Sequence, residues 1–168
     1  GEAYFWLGDY AKAEKAYQRY TNVASAQTNS SLAWVRLGEI EEIHRSDTRG
    51  ARANYYRAKN GYPFSKGDLV ATVRLARIDL PVEKEPAFVV RTLKELLEDK
   101  TVDWELKRMA ELTLADYMLV TGETEKAILI ASSGMAQTDG SVYELYKRAY
   151  QKGLFTRLGE LSKAKKYN

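Results

Sequence analysis

Residues 33–63 read AWVRLGEIEEIHRSDTRGARANYYRAKNGYP, opening on Ala33, Trp34, Leu37 and Gly38 and closing on Ala51, Tyr55, Ala58 and Pro63. Both halves carry small and aromatic residues at helical spacing, and Pro63 ends the second run. Between them Ser46-Asp47-Thr48 breaks the chain and starts it again. The reading is a hairpin of two antiparallel helices. Gly38, Ala51 and Ala58 let the backbones approach, and Trp34 and Tyr55 fill the space between them. One such hairpin leaves an apolar face bare, so it needs neighbours that stack on it and bury a continuous core.

Working outward, the periodicity predicts an all-α chain of about ten helices in five hairpins, at about residues 2–26, 30–60, 65–99, 103–137 and 141–166, treated as one domain. Gly8-Asp9 turns a short first helix into one whose inner stripe is Tyr10, Ala13, Ala16, Tyr17 and Tyr20. Asn29 to Ser31 caps the Trp34 helix, which is expected to run to about Arg45. Ser65 with Asp68 opens a third pair, Pro81 stops its first helix and Pro86 starts its second. Asp103 caps a long helix that turns at Gly122. Ser141 with Glu144 forms a further capping box, and Gly153 is read as the turn into a last helix. Gly8 and Gly122 lie 114 residues apart, which is three steps of 38, with the intermediate steps at Ser46 and Lys84 in expected breaks.

The Trp-x-x-Leu-Gly cluster followed by Ala51, Tyr55, Ala58 and Pro63 resembles the tetratricopeptide repeat, and Tyr4, Gly8, Ala13 and Tyr17 fall at the same family positions. The period exceeds that family's usual 34 residues. With the Tyr62-Pro63-Phe64-Ser65 junction, it resembles the long-period tetratricopeptide-like proteins of the bacterial envelope, such as outer-membrane assembly lipoproteins and the periplasmic partner of the Tol-Pal system. Residues 65–99 lack the signature and are assigned by periodicity alone. The resemblance implies a right-handed superhelical solenoid whose concave face binds a protein or peptide, in a periplasmic or envelope-associated setting.

Composition narrows the chemistry. The chain has no cysteine, which excludes disulfides, cysteine-based zinc sites and thiol catalysis. A net charge of +3 from 26 basic and 23 acidic side chains gives no general nucleic-acid footprint. No apolar run is long enough to span a bilayer. The sequence opens at Gly1 without Met or a signal-like stretch, and is read as a piece of a longer protein.

No catalytic constellation emerges. His44, the only histidine, sits near a predicted helix end and is read as a surface or capping residue. Glu41-Glu42 and Glu98-Asp99 are read as solvated acids, and Thr121-Gly122-Glu123 lacks a phosphate-loop pattern. The expectation is a non-catalytic scaffold without cofactor or metal. Its alternatives are a helical accessory domain of a larger cell-wall enzyme and a repeat that binds nucleic acid through its basic end.

Two groups of residues point to a partner. In the register of the resemblance, Glu39 and Asp116 follow Gly38 and Ala115 and match Glu2 on the groove side. Together with Glu42 they are read as an acidic ladder for a basic segment of a protein or peptide, and these acids argue against a carboxylate clamp. Among the twelve tyrosines, Tyr4, Tyr17 and Tyr55 are assigned to the core, whereas Tyr56, Tyr62 and Tyr143 are available to line a binding surface. Lys147, Arg148, Lys152, Arg157, Lys163, Lys165 and Lys166 concentrate basic charge beyond Asp139. They are read as the solvated face of a terminal cap, with an anionic membrane surface or nucleic acid as the other candidates.

Overall fold

The computed structural model describes residues 1–23, 29–79 and 86–166, and among them every regular element is helical. The helices are α1 (Glu2–Trp6), α2 (Tyr10–Val23), α3 (Asn29–Glu39, continued by a π-helical turn Ile40–His44), α4 (Thr48–Gly61), α5 (Lys66–Asp79), α6 (Pro86–Glu98), α7 (Trp104–Val120), α8 (Thr124–Ala136) and α9 (Gly140–Lys166). The expected positions of Ala26, Pro81 and Lys84 lie outside the described residues.

Caps set several of these boundaries. The Asp47 carboxylate accepts from the Gly50 amide at 3.0 Å, that of Asp103 from Leu106 at 2.9 Å, and the Ser65 hydroxyl from Asp68 at 3.1 Å. Each satisfies an amide that the first helical turn leaves without a partner. Asp68 reaches back to the Phe64 amide at 2.8 Å, one residue before the usual capping-box partner. Asn29, Ser30 and Ser31 lie inside the first turn of α3 rather than ahead of it, and Ser141 likewise lies inside α9.

The turns follow the expected register. Gly8 has φ +77° and Gly122 φ +81°, and both close the same way. The Gly8 amide donates to Phe5 and that of Asp9 to Tyr4, just as Gly122 donates to Leu119 and Glu123 to Met118. These are Schellman closures, in which a glycine adopts the left-handed conformation at little steric cost. Ser46 occupies the intermediate position and is also left-handed, at φ +54°.

The chain divides into two compact units, Gly1–Asp79 and Leu80–Asn168. The boundary falls inside the stretch read as the third hairpin: α5 packs in the first unit and α6 in the second. In the first unit each helix packs on the next, and α3 also meets α5. Its core has two parts on either side of α3, one of Ala13, Tyr17, Ala33, Leu37 and Ile40, the other of Val35, Ala51, Tyr55, Ala58, Ala71 and Leu75. Trp34 packs against both. Gly38 is buried beneath the Tyr55 ring, and Gly67 meets Ser31, so small residues set the closest helix contacts.

In the second unit α6 packs on α7, α7 on α8, and α9 on both α8 and α7. The expected hairpin over 141–166 is instead one helix of 27 residues. Gly153 does not break it because the position is buried against Ile128 and stays helical, with no proline or capping side chain to stop the run.

Candidate functional site

The four acids of the expected ladder all have cationic partners within the chain. Arg36 of α3 donates through Nε to Glu2 at 3.1 Å and through Nη1 to Glu39 at 2.7 Å. Arg74 of α5 reaches the other oxygen of Glu39 at 2.5 Å, and Arg77, one turn on, pairs with Glu42. Each crossing links residues 34 or 35 apart in sequence, about one period. In the second unit Lys152 pairs with Asp116 at 2.6 Å across 36 residues, so Asp116 stands in the relation to α9 that Glu39 has to α5. In the first unit Glu2, Glu39 and Glu42 are thus neutralised by ion pairs between helices, and in the second unit Asp116 is neutralised by its own. Glu39 is the most enclosed member, with its side chain 6% exposed.

Tyrosine hydroxyls complete the network. Tyr17 donates to Glu2 at 2.7 Å, Tyr55 to Glu42 at 2.7 Å, and Tyr146 to Glu111. Burial pushes the pKa of all three phenols up, and the acceptor carboxylate adds to the shift. Burial works against ionisation of Glu42, but the Tyr55 hydroxyl and Arg77 outweigh it and hold the carboxyl below its ordinary value. Glu2 behaves likewise, with Tyr17 and Arg36 as its partners.

The aromatic candidates are gathered elsewhere in the first unit. Tyr62, at the end of α4, lines an open depression of about 570 Å³ with Trp34, Ala53, Tyr56, Arg57 and Asn60. The Arg57 guanidinium lies 4.8 Å from the centre of the Trp34 ring. Indole, phenol and guanidinium groups on one shallow surface offer broad apolar contact together with directional donors, the composition enriched where proteins bind one another. Two residues beyond Tyr62, Phe64 is 98% exposed and left-handed, at φ +64°. A bulky side chain rarely adopts that conformation. Tyr143, the third unassigned tyrosine, lies half-buried on α9 in the second unit.

His44 stacks on Tyr10, with ring centres 3.3 Å apart. Glu41 is held by Arg45, and Asp99 accepts from Thr101. Among the described residues no group of three or more histidine and acidic side chains is placed to hold a metal ion, and no helix is long and apolar enough to cross a membrane. The chain matches no family model, no curated protein and no solved structure.

Proposed function

We infer that this chain is a non-catalytic helical-repeat scaffold of the tetratricopeptide kind, a right-handed superhelical solenoid of antiparallel hairpins, that holds a protein or peptide partner. The observation that carries this reading is the recurrence of the left-handed turn at Gly8, Ser46 and Gly122 in one 38-residue register. The Gly–Tyr contact supports it, since Gly1 under Tyr17 returns as Gly38 under Tyr55, and so does the acid–base crossing, since Glu2 with Arg36 returns as Glu39 with Arg74. A structural unit that repeats its turn, its close contact and its polar crossing builds a surface by stacking. The bacterial envelope is the setting that the sequence resemblance favours.

The partner meets the depression around Tyr62, because the acid row is already occupied by the chain's own cations. A displayed-peptide library selected on the intact chain tests this, with affinities read from tryptophan fluorescence. The selected peptides are expected to lose about tenfold or more in affinity with Tyr62→Ala or Tyr56→Ala, as for aromatic anchors at interfaces. Selected peptides that ignore both substitutions, or a library that yields none, would remove this reading.

A further inference from the structure

The second half of α9 carries an apolar row that no other described helix covers. Leu154, Leu158 and Leu161 recur at i, i+4 and i+7 with Phe155 beside them, and they are 39%, 61%, 46% and 73% exposed. They lie away from the face that packs on α8, where Tyr146 meets Gly134, Gly153 meets Ile128 and Glu160 accepts from Thr124. By the helical period of about 100° per residue, Arg148 lies at the Phe155 margin of the row and Lys165 sits at its end, whereas Lys163 falls on the opposite side of the helix, toward Glu160. Arg148 and Lys165 are exposed and make no ion pair among the described residues.

Charge identifies what can cover such a face. α9 has seven basic and two acidic side chains, a surplus of five in a chain whose net charge is +3, so the remaining residues are net negative. The target must be anionic. A second copy docked symmetrically through the row would set like charges against each other. Nucleic acid would satisfy the cations but gives leucines nothing to enter, since its binding surfaces rely on stacking rings. A bilayer with anionic headgroups supplies both a phase for the leucines and charge for the lysines.

We propose that the exposed face of α9 docks in the plane of an anionic membrane surface, with Leu154, Phe155, Leu158 and Leu161 at the headgroup–acyl boundary and Arg148 and Lys165 against the headgroups. The contact is peripheral and does not span the bilayer. It is independent of the peptide surface near Tyr62, so either can fail alone.

The test is co-sedimentation of the whole chain with vesicles of phosphatidylcholine, with and without phosphatidylglycerol. Partition is expected only with phosphatidylglycerol, weakening as salt rises. Arg148→Ala and Lys165→Ala should each lower the partition coefficient about fivefold, and Phe155→Ser with Leu158→Ser at least about tenfold. The substituted side chains face solvent, so thermal unfolding followed by circular dichroism should be unchanged. No partition into anionic vesicles, or partition indifferent to Phe155→Ser with Leu158→Ser, overturns the proposal. So does a dimer that this double substitution abolishes, or a single-stranded RNA complex that competes vesicles away.

Discussion

The Tyr55 ring lies so close over Gly38 that a β-carbon on the glycine would fall inside the ring's van der Waals envelope, and the same is true of Tyr146 over Gly134. The aromatic of one helix thus uses the missing side chain of its neighbour as its seat. Gly38→Ala should cost about 1–3 kcal/mol, because Tyr55 is fully buried and has nowhere to move. Gly159→Ala serves as the control, since nothing lies within 4 Å of the added methyl and the site is helical. That change should be neutral or stabilise by about 0.5–1 kcal/mol. Urea unfolding of the two variants gives the comparison.

Arg36, Glu39 and Arg74 form a continuous bridge from α3 to α5, so removing the central acid leaves two cations facing each other. Glu39→Ala is expected to cost about 3 kcal/mol, the range for breaking an enclosed pair from one side. Glu39→Leu combined with Arg74→Met should recover most of that loss, since apolar groups of similar size need no counter-charge. A double substitution as unstable as Glu39→Ala would show that the bridge contributes net attraction rather than alignment.

Much of this arrangement was legible from local sequence, and what was missed depends on contacts at a distance. Asp47, Asp103 and Ser65 cap where expected because a cap involves three or four consecutive residues. Gly8 and Gly122 turn where expected because the left-handed conformation is a property of the residue itself. Gly153 is the opposite case: it is a helical glycine seated against Ile128 of another helix, a contact that the local turn signal does not contain. The acids of the ladder meet cations 34 to 36 residues further along the chain, a separation that no local pattern displays. Arg36 and Arg74 are 38 residues apart, the step from Tyr17 to Tyr55 and one more than the step from Glu2 to Glu39, so the basic residues follow the register as well. The depression around Tyr62 joins Trp34 to residues on the next helix, a proximity that periodicity does not encode.

Stability should fall at both ends of the pH range, for different groups. Glu42 has its pKa lowered by folding, so its contribution is present above its ordinary value near 4.5 and is lost as pH falls through the folded value. Tyr17, Tyr55 and Tyr146 have theirs raised from near 10, so their contribution is present below that value and is lost as pH rises above it. Tyrosinate absorbance should therefore rise in two stages in alkali, the second coinciding with loss of helical circular dichroism. Tyr55→Phe should blunt the second stage and cost about 1 kcal/mol at neutral pH through the lost bond to Glu42.

Phe64 combines two features that work against stability, a left-handed backbone and a ring almost wholly in water. The Asp68 bond to its amide fixes the backbone whatever side chain is present. Phe64→Asn keeps that bond and suits the left-handed region, so it should stabilise the chain by about 1 kcal/mol. If the ring is retained for contact with a partner beside Tyr62, the same substitution should weaken the selected peptides while raising the urea midpoint. Opposite signs in the two measurements are what a residue held for recognition produces. A gain in stability with unchanged affinity would confine the partner surface to Trp34, Tyr56 and Tyr62, and a loss of stability would mean that the ring has a packing role in the folded chain.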